Sequence, residues 1–206
     1  NDGELLIMQG KPIGKQTQAW QVDKFKFRGG NSLLGQELTM AFQGMFGKDY
    51  YYCLLGWPGL MEYAKLIERD KLCYSAIFAD KNYPKTVLLL KDIMEEEYGK
   101  IILFCNNETL PSEQLRFADL IVRFPNNCVE WFETHGKSSI QSAKQIAQRY
   151  QNRLFLFSVG PVSEVLIYHM YNANPNNRYI DMGSSIDPLL KGRNTRPYHT
   201  KFQSCQ

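Results

Sequence analysis

Two stretches of the chain, Ile101-Ile102-Leu103-Phe104-Cys105 and Leu154-Phe155-Leu156-Phe157-Ser158-Val159, are apolar at nearly every position. A strand with one face in water alternates apolar and polar side chains, so a strand apolar on both sides must be covered on both faces. Helical patterns alternate with such strands. Leu34, Leu38, Ala41, Phe42 and Met45 fall on one face of a helix over 33–46. Tyr50–Gly56 reads as a buried strand ending in a Gly-Trp-Pro turn, Leu60–Asp70 as a helix, and Tyr74–Ala79 as a second strand. Pro84 opens a helix that runs to about Tyr98 and closes at Gly99. After the strand Ile101–Cys105 come a polar loop at Asn106–Pro111, a short strand Leu120–Phe124 and a helix Ser138–Tyr150. The strand Leu154–Val159, a helix from Pro161 to about Tyr171 and a short strand Tyr179–Asp181 complete the series. This alternation predicts an α/β fold, a Rossmann-like and mostly parallel sheet with helices on both faces. Its ligands belong in the crevice beyond the carboxyl ends of the strands.

A chain of 206 residues is most simply one domain with a large core. Neither a repeat nor a linker divides 1–206, and the tail from about 188, rich in Arg, Lys, Asn and Pro, reads as irregular. A net charge of +3, evenly spread, argues against a nucleic-acid partner. Five cysteines, Cys53, Cys73, Cys105, Cys128 and Cys205, lie far apart with no Cys-x-x-Cys. That spacing excludes a disulfide framework or a zinc ribbon and points to buried thiols in a reducing, cytoplasmic compartment. The longest apolar run, Tyr50 to Met61, is broken by Gly56, Pro58 and Gly59, so no membrane span is expected. The chain opens inside a motif with no initiator Met and no signal peptide, which predicts a piece of a longer parent protein with further domains.

Candidate site residues cluster at turns. Asp2 and Glu4 flank Gly3, two carboxylates where the backbone can turn, a compact holder for a hard divalent cation or else an ordinary solvated turn. Gly160-Pro161 leaves a strand and opens a helix, so backbone N–H groups there could face a phosphate or could simply make a tight turn. Asn106 leaves another strand end with Asn107 and Glu108, a position suited to a ribose or sugar hydroxyl. Asp181 and Asp187 flank Gly183-Ser184-Ser185; either could activate an acceptor or touch a metal, and Asp187 could instead be a turn residue before Pro188. In the basic tail, Arg193 and Arg196 could grip phosphate oxygens in bidentate fashion if the tail folds over a ligand. Trp57, beside Gly56 and Pro58, is the tryptophan best placed to stack on a sugar or base. His169 lies on an apolar helix face and reads as packed; His135, in Thr-His-Gly, reads as a solvated loop residue.

Four segments resemble motifs of the GT-D glycosyltransferases, the DUF1792 domain family. Asn1-Asp2-Gly3-Glu4-Leu5 through Gly10-Lys11-Pro12-Ile13 is similar to the family's Gly-Asp-Gly-Glu opening followed by Gly-x-x-Ile, with Asn1 in place of the usual glycine. Cys53-Leu54-Leu55-Gly56-Trp57-Pro58 resembles a strand ending in Gly-Ile-Pro, and Leu154 through Gly160-Pro161 a late strand ending in Gly-Pro. Tyr179-Ile180-Asp181-Met182-Gly183 resembles a closing Ile-Asp-Ile-Gly. The segments occur in the family's order over most of the chain. The resemblance implies a UDP-sugar donor, UDP-glucose first, and Mn2+ or Mg2+ held by Asp2 and Glu4. It also implies a carbohydrate or glycoprotein acceptor whose proton passes to Glu4, Asp181 or Asp187. No Ser-His-Asp or Cys-His arrangement is present, which agrees with a transfer that uses no covalent nucleophile.

Two other readings stand beside it. The same sheet could serve a dinucleotide oxidoreductase or a methyltransferase, although no Gly-x-Gly-x-x-Gly follows the first strand. The chain could also be a non-catalytic nucleotide-sugar-binding or scaffolding module of a larger glycan-building protein.

Overall fold

The computed structural model describes Met8 and residues 32–44, 49–54, 67, 69–74, 78–79 and 82–200. Four parallel strands form the main sheet: β3 (Ile101–Asn106), β4 (Ala118–Phe124), β5 (Leu154–Ser158) and β6 (Arg178–Asp181), in spatial order β4-β3-β5-β6. Two shorter strands, β1 (Tyr52–Leu54) and β2 (Leu72–Tyr74), pair in parallel in a sheet of their own. Among the described residues the α-helices are α1 (Leu33–Gln43), α2 (Tyr83–Glu96), α3 (Cys128–Arg149), α4 (Val162–Ala173) and the short α5 (Asp187–Lys191).

The all-apolar strands occupy the centre for the expected reason. Every residue of β5, and all of β3 but Asn106, is buried. Their side chains sort by parity into two cores. Ile102, Phe104, Phe155 and Phe157 meet Leu38 of α1, Phe132 of α3 and Val165 of α4. Ile101, Leu103, Leu154 and Leu156 meet Leu90 of α2 and Leu190 of α5 on the opposite face. Phe104 and Phe157, adjacent across the β3–β5 ladder, stack at 4.7 Å between ring centroids. A register shift between Ile101 and Ile102 sets Ala118 and Leu120 against consecutive β3 residues. The bulge at Asp119 thereby puts Leu120, Val122 and Phe124 on the α3 side, where a regular ladder would place their neighbours.

Several elements depart from the sequence reading. β2 begins at Leu72 rather than Tyr74, and residues 78–79 are not strand. The Leu60–Asp70 helix, and the end of the first strand at Gly56, lie largely or wholly outside the described residues. α3 starts at Cys128, ten positions before the expected Ser138, so Thr134-His135-Gly136 sits inside a helix of 22 residues. Gly136 is not a breaker: a Cβ there would lie 2.6 Å from the Phe132 ring and 2.9 Å from Leu33 Cδ2. Glycine admits the start of α1, whose Leu33 and Leu34 N–H groups donate to Glu133 at 2.8 and 3.1 Å. His135 is exposed, as expected, but stacks flat on Trp131 at 4.7 Å. The tail, expected to be irregular from about 188, carries α5 and is described as far as Thr200. α5 ends at Gly192, whose φ of 62° caps it, and the segment to Thr200 packs back against the sheet end. Among the described residues, no helix is long and apolar enough to cross a membrane.

Candidate functional site: the cleft beyond the strand ends

The chain runs from β3 outward to β4, then crosses back through α3 to place β5 on the other side of β3. This reversal opens a crevice at the carboxyl ends of β3 and β5, the place where open α/β sheets bind ligands. A cleft of about 1000 Å3 lies there. Asn106 of β3, Ser158 of β5 and Asp181 of β6 reach it from three strand ends, and Gly160, Lys191 and Arg196 also line it.

Each strand end is held by its own hydrogen bonds. The Asn106 side-chain oxygen accepts the Glu108 N–H at 3.1 Å, turning the chain back at the cleft edge. Ser158 Oγ donates to the Gly183 carbonyl at 2.9 Å, tying the end of β5 to the turn after β6. Asp181 Oδ1 accepts the Gly183 N–H at 3.0 Å, which fixes its carboxylate at the cleft wall. The β5–α4 turn has Gly160 at φ 60°, a left-handed conformation that suits glycine. Its donors are partly committed: Val159 N–H donates to Ser163 Oγ at 3.2 Å, Ser163 N–H to the Gly160 carbonyl at 2.9 Å, and Pro161 has no N–H. Glu164, in the first turn of α4, also lines the cleft. A carboxylate there complements the helix dipole and competes with any phosphate. Burial, aided by Tyr52 and then by the charges of Glu164 and Asp181, pushes the Tyr50 phenol far up, so it stays a protonated donor on the same wall.

The two cations and Asp187 belong to a network on the other side. Asp187 is buried, accepts Thr195 Oγ1 at 2.5 Å and pairs with Lys191 at 3.2 Å. Lys191 also lies 3.8 Å from Glu108. Arg196 Nε donates to Ser184 Oγ at 3.1 Å, and Ser184 Oγ meets the Tyr198 hydroxyl at 3.1 Å. Tyr83, Tyr198 and His199 pack ring against ring behind them, at 4.6–5.1 Å between centroids.

No protein-family model and no curated protein matches the sequence. Two solved structures match the fold over 88% of this chain and 69% of theirs. One is a selenomethionine-substituted domain of unknown function 1792, at TM-score 0.54 and 17% identity. The other is a domain of the same kind, described as having a distinct glycosyltransferase fold, at TM-score 0.53 and 17% identity. The chain has the DUF1792 fold.

Within the DUF1792 fold, the expected residues separate into three groups. Asn106, Gly160, Pro161, Asp181, Asp187 and Arg196 come together around one cleft, although they are spread over ninety positions of sequence. Arg193 does not: it is exposed, just past the Gly192 cap, and is not among the cleft-lining residues. Asp2, Gly3, Glu4, Gly56 and Trp57 lie outside the described residues. His169 is packed as expected, with Nε2 2.7 Å from Glu37 Oε2. Tyr198, the tail tyrosine expected beside the arginines, lines the cleft, and Lys191, Glu164 and Ser158 are cleft residues that the sequence did not single out. Lys191 alone had a local signal, its i,i+4 spacing from Asp187. Among the described residues, no three His, Cys, Asp or Glu side chains gather as a metal site. Asp2 and Glu4, which lie outside the described residues, are oxygen donors of the kind Mn2+ and Mg2+ take.

Proposed function

We propose that the protein is a nucleotide-sugar-dependent glycosyltransferase that moves a hexose, glucose first, from a UDP-sugar to a hydroxyl of a glycan acceptor. The observation that carries this reading is the Asp181 carboxylate, held at a strand-end cleft with Lys191 and Arg196 on its wall, in a chain with the DUF1792 fold. Lys191 and Arg196 supply positive charge for a diphosphate, and Arg196 can offer its planar fork. Asp181 takes the acceptor proton, while Asp187, already engaged by Lys191 and Thr195, positions the cation instead. Mn2+ or Mg2+ held by Asp2 and Glu4 would supply charge stabilisation for the departing diphosphate.

Thermal unfolding against UDP-, GDP- and CMP-sugars, each with and without Mn2+, tests this. A ligand bound by the folded state alone stabilises by about 2.7 kcal/mol at a hundredfold excess over Kd. We expect a shift with a UDP-sugar that requires Mn2+ and disappears in Asp2→Ala. Asp181→Asn keeps an oxygen for the Gly183 N–H. It should therefore retain the shift while losing turnover by on the order of 10²–10³-fold. Absence of a shift with every sugar nucleotide would remove the proposal. A shift without turnover, in the parent sequence as in the variant, would make the chain a sugar-nucleotide-binding module.

A further inference from the structure

Cysteines twenty positions apart in sequence meet across the short sheet. The β1–β2 register sets Cys53 directly opposite Cys73. Paired parallel strands lie about 4.8 Å apart. That is inside the 4.4–6.8 Å Cα separation a disulfide spans, and paired residues project to the same face. Cys53 is exposed and Cys73 half-buried, and both line the cleft. The other described cysteines are placed differently. Cys105 and Cys128 are buried, with their sulfurs engaged by Thr109 Oγ1 at 3.4 Å and by the Val159 carbonyl at 3.3 Å.

We propose that Cys53 and Cys73 form a dithiol site that exchanges with low-molecular-weight disulfides and closes a reversible bridge between β1 and β2 on the cleft wall. The Cys53 thiolate attacks one sulfur of the small disulfide, whose S–S bond breaks and releases one thiol. Cys73, deprotonated in turn, attacks the Cys53 sulfur of the mixed disulfide and expels the second thiol. Two protons and two electrons leave on the two small thiols, so the exchange balances. Cys53 reaches solvent at one edge but sits against the cleft wall, and desolvation there, followed by the neighbouring Cys73, pushes its thiol up to about 11. Thiolate is scarce at neutral pH as a result, and the exchange quickens about tenfold per pH unit below that value. The site does not depend on the proposed sugar transfer.

The test uses the full chain with Cys205→Ser and oxidised glutathione at pH 8 and 9. The expected product has lost two hydrogens by intact mass and yields a proteolytic fragment joining the Cys53 and Cys73 peptides. Dithiothreitol should reverse it, and formation should be roughly tenfold faster at pH 9. Cys73→Ser should instead accumulate a stable glutathione adduct on Cys53. Phenylarsine oxide, which needs two adjacent thiols, should protect both from alkylation without any further substitution. A persistent adduct on the Cys205→Ser chain, a bridge joining any other pair, or no reaction at Cys53 overturns the proposal.

Discussion

His199 is fully buried, and its Nδ1 accepts the backbone N–H groups of Thr195 at 3.0 Å and Arg196 at 3.1 Å. A nitrogen that accepts two N–H groups carries no proton, so the ring is neutral with its proton on Nε2. Nε2 is buried and makes no hydrogen bond. Burial holds the imidazole below its usual 6.5, against the opposing pull of Asp187. Below that pH the unfolded chain binds a proton that the folded chain refuses, so stability falls as pH drops from 6.5 toward the lowered value. We expect unfolding temperature to decline between pH 7.5 and 5.5 more steeply than in His199→Asn. That variant should itself be less stable at pH 7.5 by about 1–3 kcal/mol, from two lost hydrogen bonds. Equal slopes would assign the pH dependence elsewhere. None of this was legible locally: His199 reads as one more basic residue of a tail, because Tyr83 and Asp187, which bury it, come from other parts of the chain.

α3 illustrates how an element boundary is lost and recovered. Its second half, with Ile140, Ala143 and Ala147 buried, carries the helical period plainly, and its first half hides behind Gly136. Glycine in mid-helix costs about 1 kcal/mol relative to alanine, so sequence pattern treats it as an end. The structure gives the opposite reason for it, the close approach of Phe132 and Leu33. Gly136→Ala should therefore destabilise by up to about 2 kcal/mol in urea unfolding, since overpacking of about 1–3 kcal/mol is set against a propensity gain of about 1 kcal/mol. A stabilised variant would mean that the neighbours yield freely. β3 and β5 are more legible in the sequence than α3 between them. β3 and β5 are apolar on both faces, and such a run has few alternatives to the middle of a covered parallel sheet.

Three separate segments close the cleft on its cationic side. Glu108 comes from the β3–β4 loop, which Arg123 holds through Thr109 and the Leu110 carbonyl, while Leu110 N–H donates to Leu190 of α5 at 2.7 Å. Lys191 and Asp187 come from α5, and Thr195 from the final segment. With side-chain exposures of 9% and 6%, Lys191 and Asp187 form a buried pair. Removing either partner alone leaves an uncompensated charge, which costs about 3–5 kcal/mol, whereas replacing both by apolar residues is often close to neutral. We expect Asp187→Leu and Lys191→Met each to be strongly destabilising, with the double variant recovering most of the loss in a chemical-denaturation cycle. Additive losses would show that the two residues act independently.

The parallel sheet, its two covered faces and the strand-end positions of Asn106, Gly160 and Asp181 follow from the sequence, because period and apolarity are local properties that burial enforces. Which polar side chains meet was decided only by the tertiary structure. Asp187 turned inward to Lys191 and Thr195, Arg196 lined the cleft where Arg193 did not, and Cys53 came to face Cys73. Those pairings depend on strand register and on the crossover through α3. A shift of one residue would reverse every side chain on a strand while leaving the local pattern unchanged.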